Sequence, residues 1–213
     1  MRSQTEAINV VLHSEHLNDY SSVVLCGKLI EKEAVGKDTV YRLQTTQSSG
    51  RSFVSKPSIF IVDPELVHPA DQLPLKHRVY LEGYVNTREG KKKGHTQHFV
   101  ARAIHLPKDD EPDENRIELV GSVRSATVVP ENAIDFTLDV FFGNYMHHIL
   151  FRYYVHEGDD YLAFMAYGTR LHIVGHCVAY DYGETKREYI TADTIELAND
   201  AEPKKKKRII RQS

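Results

Sequence analysis

Apolar and polar residues alternate along most of this chain in short, strand-sized runs, and the runs come twice in the same order. Val23, Val24, Leu25, Cys26 and Gly27 are echoed by Ile117, Glu118, Leu119, Val120 and Gly121, an offset of 121 − 27 = 94. RVYLEGYV from Arg78 is echoed by RLHIVGHCV from Arg170, where the glycines give 175 − 83 = 92. Between these anchors YRLQT from Tyr41 answers FTLDV from Phe136, and SIFIV from Ser58 answers HILFR from His148. Each copy closes on an alternating run ending in leucine, HFVARAIHL and then EYITADTIEL. Period-two alternation rich in β-branched and aromatic residues predicts half-buried strands. Matching strands in one order at a nearly constant offset predict a single domain present twice.

Between its third and fourth strands the second copy carries DDYLAFMAYG, which predicts a short helix with Asp159 or Asp160 as N-cap and Gly168 as its stop. The first copy has PELVHPADQLPL there, and its three prolines leave short helical turns at most. Three strands, a helix and two further strands is the order of an OB barrel, a five-stranded Greek-key barrel. The predicted fold class is all-β with a short helix per domain, as two tandem OB-fold five-stranded barrels. Glycines 27, 83, 121 and 175 fall inside predicted strands, where closing a barrel needs bulges or sharp bends. The segment KDDEPDEN is charged and without apolar residues, so it reads as a linker. The expected organisation is an N-terminal extension (1–20), a first OB domain (21–107), an acidic linker (108–115), a second OB domain (116–199) and a basic tail (200–213) containing PKKKKR.

Composition adds limits. Of 213 residues 41% are hydrophobic, which suffices for two cores, and the net charge of −3 does not by itself call for a polyanionic partner. No run approaches the roughly 18 apolar residues of a spanning helix, and the first twenty residues lack a signal-peptide pattern. A soluble, cytoplasmic protein with no membrane partner is expected, nuclear if PKKKKR is an import signal in a eukaryotic host. Cys26 and Cys177 each sit in an apolar run and read as small buried hydrophobes. The pairs His147 with His148 and His95 with His98 lack the further ligands of a zinc site, so no metal or other cofactor is expected. No nucleophile elbow, phosphate loop or zinc-protease motif occurs, and no enzymatic activity is expected.

The runs also resemble the bacterial single-stranded-DNA-binding protein family. The likeness is carried in the second copy by IELVGSV, DFTLDVFFG, LAFMAYGTRLHIVG and KREYITADTIEL, and in the first by VVLCGKL and HRVYLEGYVNTREGKKKG. It spans residues 20–107 and 115–199. Two features depart from that family: the chain ends in basic residues rather than an acidic tail, and it has no tryptophan. The resemblance implies a protein that coats single-stranded DNA in replication, recombination or mobile-element transfer. Relatives with one OB domain per chain act as tetramers, so this chain is expected either as a homodimer presenting four barrels or as a monomer whose two first strands pair internally.

An OB surface that holds single strands without sequence choice needs aromatic faces for bases and cations for phosphates. In the first copy the candidates are Phe53, Phe60 and Tyr84, with Arg42, Arg51, Lys56, Arg88, Lys91, Lys92 and Lys93. In the second they are Phe142, Phe151, Tyr153, Tyr180 and Tyr182, with Arg152, Arg170, Lys186 and Arg187. Phe60 and Phe151 suit a core position as well as a platform, and the lysine run suits a solvated face as well as a phosphate clasp. Two rivals stay open: an OB-fold adaptor that binds a replication or restart protein, and an RNA-binding protein, since stacking does not separate the two nucleic acids.

Overall fold

The computed structural model describes residues 19–198, apart from 37, 48–52, 64, 68–71, 91–93 and 109. Strands β1 (Tyr20–Val35), β2 (Asp38–Gln47), β3 (Phe53–Ser55), β4 (Ser58–Ile61), β5 (Arg78–Gly90) and β6 (Gly94–His105) come from the first copy. Strands β7 (Glu114–Val129), β8 (Ala133–Phe142), β9 (Tyr145–Tyr154), β10 (Arg170–Tyr182) and β11 (Thr185–Leu197) come from the second. In the first copy β1 pairs with β2, β2 with β4, β4 in parallel with β6, β6 with β5, and β5 with β1, which closes a barrel. The second copy closes the same circuit through β7, β8, β9, β11 and β10, again with one parallel pair. This is the OB topology expected from the strand order.

Alternation decides what fills each barrel. Val23, Leu25, Leu29, Tyr41, Leu43, Ile59, Ile61, Val79 and Leu81 point into the first, and none is accessible. Ile117, Leu119, Ile134, Phe136, Leu138, Val140, Ile149, Leu171 and Ile173 do the same in the second. Each such side chain contributes about 1.5–3 kcal/mol relative to exposure. Tyr41 and Phe136, matched in the sequence repeat, are both fully buried. The third-strand match shifts by two residues: Ser58 lies across from Arg42 as Leu150 lies across from Thr137, so the structural offset is 150 − 58 = 92 and not 148 − 58 = 90. An even shift preserves the face of every side chain, so it leaves the alternation intact.

The four strand glycines sit where neighbouring backbones come too close for a side chain. A Cβ at Gly27, Gly83, Gly121 or Gly175 would lie under 3.0 Å from the carbonyl oxygen of Gln44, Val100, Asp139 or Thr191 respectively. The ladder slips at Glu82/Gly83 and at Val174/Gly175, which bends β5 and β10 around the barrel. Between β8 and β9, Gly143 and Asn144 both take positive φ, 59° and 69°, as a two-residue hairpin turn requires.

The helix predicted at DDYLAFMAYG is shorter than expected. It is a single 3-10 turn, Tyr161–Phe164, and Asp160 makes no side-chain cap. Asp159 instead accepts from the His156 amide and from the Tyr153 hydroxyl, so it holds the entry to the turn against β9. In the first copy the prolines leave a helical turn at residues 65–67, started by Asp63 accepting from the Glu65 amide. Among the described residues no helix is long and apolar enough to cross a membrane. Cys26 and Cys177 are buried free thiols, and burial pushes Cys26 up to about 11.

The two barrels share a sheet. β1 pairs antiparallel with β7 from Tyr20↔Val120 to Cys26↔Glu114, and Val23 lies opposite Ile117. Since 117 − 23 = 94 is the repeat offset itself, a pseudo-two-fold axis passes through this pair and relates the pairs on either side of it. The segment before β7 is tied down as well: Asp113 accepts from Arg78 at 2.9 Å and from the Thr46 amide at 3.1 Å.

Replacing Gly175 by alanine forces a Cβ onto the Thr191 carbonyl and is expected to cost about 1–3 kcal/mol. Thermal unfolding checks this. At about 2–4 °C per kcal/mol for a chain of this size, the midpoint should fall by several degrees.

Candidate nucleic-acid interface

OB barrels take oligonucleotides on the face of their second and third strands, between the 1–2 and 4–5 loops. Here each such face is met by the long hairpin of the other barrel. The β5–β6 hairpin of the first barrel reaches β9: the Gln97 amide both donates to the Leu150 carbonyl and accepts from the Leu150 amide, each at 2.9 Å. Nearby, Arg102 lies over the rings of Tyr84 and Phe142, 4.7 and 4.3 Å from their centroids. The buried His147 ring meets the same hairpin, with Nδ1 3.4 Å from the Thr87 amide and Nε2 3.3 Å from the Phe142 carbonyl. Its neighbour His148 points elsewhere and pairs with Asp139 at 2.6 Å, so the two imidazoles do not converge.

The β10–β11 hairpin of the second barrel reaches back onto β2 and β4. Asp181 bridges Arg42 at 2.5 Å and Lys56 at 2.9 Å, and these two hydrogen bonds hold its carboxyl down at about 2. Lys186 donates to Glu31, and Glu188 accepts from the Ser58 amide. Beneath the hairpin β10 leaves β7, and its backbone is completed from the other barrel and the linker side. The Asn115 amide exchanges two hydrogen bonds with Cys177, while Ser55 Oγ donates to the Cys177 carbonyl and accepts from the Ala179 amide. The Lys56 amide donates to the Ala179 carbonyl at 2.8 Å, so the backbone groups of Cys177 and Ala179 are all paired.

On the second barrel the face between β9, β11 and the incoming hairpin forms a groove of about 860 Å³. It is lined by Leu150, Arg152, Tyr154, Tyr180, Arg187 and Tyr189, with Thr96 and Gln97 from the first barrel on its rim. Burial, reinforced by the neighbouring Tyr154, pushes Tyr189 up to about 12. The groove is therefore aromatic and polar rather than strongly basic. Arg152 grips Asp135 through two bonds of 2.7 and 3.0 Å, which raises its pKa further and leaves its planar face as its contribution.

The sequence-predicted residues divide accordingly. Tyr180 and Tyr182 are exposed, 39% and 65%, and Arg187 lies over the Tyr182 ring at 4.9 Å. Phe60 is half-buried and meets His98 edge-on. Tyr84 and Phe142 pack against each other across the barrel junction, 5.1 Å apart, beneath Arg102. Phe151 and Tyr153 correct the expectation: Phe151 is 1% exposed and stacked on Phe136, and Tyr153 is buried with its hydroxyl on Asp159, because both point inward on β9. Arg42, 7% exposed, and Arg170, paired at 2.7 Å with Asp19, serve contacts within the chain; Lys56 and Lys186 also bridge the barrels. Phe53 opens β3 and Arg88 lies on β5. Arg51, Lys91, Lys92 and Lys93 fall outside the described residues.

Leu150, Tyr154, Tyr189 and Gln97 were missed. The signal existed for Leu150, which is 49% exposed: it sits out of phase with Ile149 and Phe151 in the alternating run HILFRYY.

No protein-family model matches the chain, and no curated protein matches it either. Solved structures do. The wild-type single-stranded DNA binding protein from Thermus aquaticus superposes with a TM-score of 0.67 at 14% identity, covering 86% of this chain and 95% of that one. A deletion mutant of the same protein gives 0.67 at 15% identity, covering 88% and 98%. The chain shares its fold with these proteins. The likeness spans both barrels, since it covers nearly all of the described residues.

Burial, assisted by the neighbouring His148 and opposed by the hydrogen bond to the Phe142 carbonyl, favours neutral His147 and holds its pKa below the ordinary imidazole value. A group with a depressed folded pKa is lost to stability as pH falls: below about 6.5 the unfolded chain takes up a proton that the folded chain refuses. The stability advantage of the wild type over His147→Gln should therefore narrow between about pH 7 and pH 5. Melting both proteins across that range checks it.

Proposed function

We propose that this chain binds single-stranded DNA without strict sequence choice and without catalysis, on the aromatic groove of the second barrel. The observation that carries the reading is the convergence of Tyr154, Tyr180, Tyr189 and Leu150 on the face that OB barrels use, on a fold shared with the Thermus aquaticus single-stranded DNA binding protein. Tyrosine faces accept any base, and each stacked base contributes about 1–3 kcal/mol. In this reading the two barrels are domains 21–107 and 116–199 joined by 108–115, and the protein coats exposed strands in replication, recombination or mobile-element transfer. A homodimer would present four barrels; a monomer already presents two, joined through β1 and β7.

A second reading is favoured by one observation: Arg42, Lys56, Arg152, Arg170 and Lys186 are all engaged in ion pairs. A surface on which these cations are already paired also suits a protein partner, as in an OB-fold adaptor.

Fluorescence anisotropy with labelled oligo-dT, oligo-rU and a duplex, over a salt series, separates these. Preference for a single strand, weakening with salt, supports the coating protein and ranks DNA against RNA. No binding at low salt removes that reading and leaves the adaptor. Tyr180→Ala should weaken single-strand binding by about tenfold while leaving the melting temperature nearly unchanged, since this side chain is exposed and its loss removes about one stacked base.

A further inference from the structure

The contact between the second barrel's hairpin and the first barrel's face has the chemistry of a bound phosphate. Arg42 on β2 and Lys56 just before β4 stand on the second-and-third-strand face of the first barrel, where an OB fold meets a nucleic-acid backbone. Their shared partner is a single carboxylate. Asp181 presents one oxygen to the Arg42 guanidinium at 2.5 Å and the other to the Lys56 ammonium at 2.9 Å. A phosphodiester likewise offers one negative charge on two oxygens, and guanidinium and ammonium groups bind it as they bind a carboxylate.

We propose that Asp181 is an intramolecular stand-in for a backbone phosphate, which keeps a second single-strand subsite at Arg42 and Lys56 occupied until a polynucleotide displaces the β10–β11 hairpin tip. The inference rests on the single-strand reading above and adds to it a site and a gate.

The attachments of that tip suit exchange. Residues 180–188 are exposed, and beyond Asp181 the tip is held by the Lys186–Glu31 pair and by Glu188 on the Ser58 amide. Exposed ion pairs contribute little and weaken in salt. Arg42 does not leave with the tip, because its Nε donates to the Lys56 carbonyl and a second nitrogen lies 3.5 Å from Glu31. The guanidinium is therefore pre-positioned on β2 whether its anion comes from the hairpin or from a strand. Tyr182, at the tip with Arg187 over its ring, would travel with the hairpin.

The test compares wild type with Asp181→Asn on an oligo-dT of about 30 nucleotides, long enough for two OB faces at about 4–16 nucleotides each. Removing the competing charge should tighten binding on the order of tenfold. The dependence of log K on log salt should stay nearly unchanged, because the same two cations meet phosphate in both proteins once the tip is displaced. Lys56→Gln, at a half-exposed side chain, provides the variant that spares the Arg42–Asp181 pair. It should weaken wild-type binding to the same oligonucleotide and flatten the salt slope by about 0.7. If the wild type binds but Asp181→Asn only lowers the melting temperature, and Lys56→Gln leaves affinity and slope unchanged, Asp181 is an ordinary interbarrel ion pair and the proposal falls. If the wild type itself ignores single strands at low salt, the functional reading fails first and takes this subsite with it.

Discussion

The pairing of β1 with β7 is the constraint on which the rest of the molecule depends. Seven residue pairs from Tyr20↔Val120 to Cys26↔Glu114 turn two closed barrels into one continuous sheet across the junction. A closed barrel has few free backbone edges, yet the outer half of a first strand offers one. Two copies on one chain satisfy it mutually, and the pseudo-two-fold axis through Val23 and Ile117 makes the contact self-complementary. Once that register is set, β5 and β10 lie outside β1 and β7, and their long hairpins project over the opposite barrel.

The candidate site is a consequence of that crossing. Neither groove wall belongs to one domain alone. Gln97 of the first barrel completes the backbone of Leu150 in the second, and Glu188 of the second caps the Ser58 amide in the first. Ser58 and Leu150 occupy equivalent ladder positions, across from Arg42 and Thr137. The same exchange is thus made twice with different chemistry: an amide side chain in one direction, a carboxylate and a set of ion pairs in the other. This difference in charge is what leaves an aromatic groove on the second barrel and an acid-bridged cation pair on the first.

The division of labour among aromatic residues follows from strand phase. On β9 Phe151 and Tyr153 point into the barrel while Leu150, Arg152 and Tyr154 point out, so neighbouring residues of one run serve stability and surface alternately. Buried Phe136 against Phe151 fixes the core, and the exposed tyrosines of β10, Tyr180 and Tyr182, serve as flat faces. Histidine is divided in the same way: His147 locks the hairpin from inside while His148 meets Asp139 outside.

By itself the sequence determined the repeat, the strand order, the closing glycines and the alternation, because these are local: the period of two, the offset near 94 and a carbonyl too close for a Cβ all leave marks on single residues. It did not determine that DDYLAFMAYG would shrink to one 3-10 turn, where Asp159 prefers the Tyr153 hydroxyl and the His156 amide over capping a longer helix. Nor did it place Tyr153 inside the barrel, or tell an available cation from one already held. Arg42 and Asp181 stand 139 residues apart, and only the joining of β1 to β7 brings the second hairpin across to the first barrel. Charge partners at that separation have no periodicity to read; they exist only once the two barrels are docked.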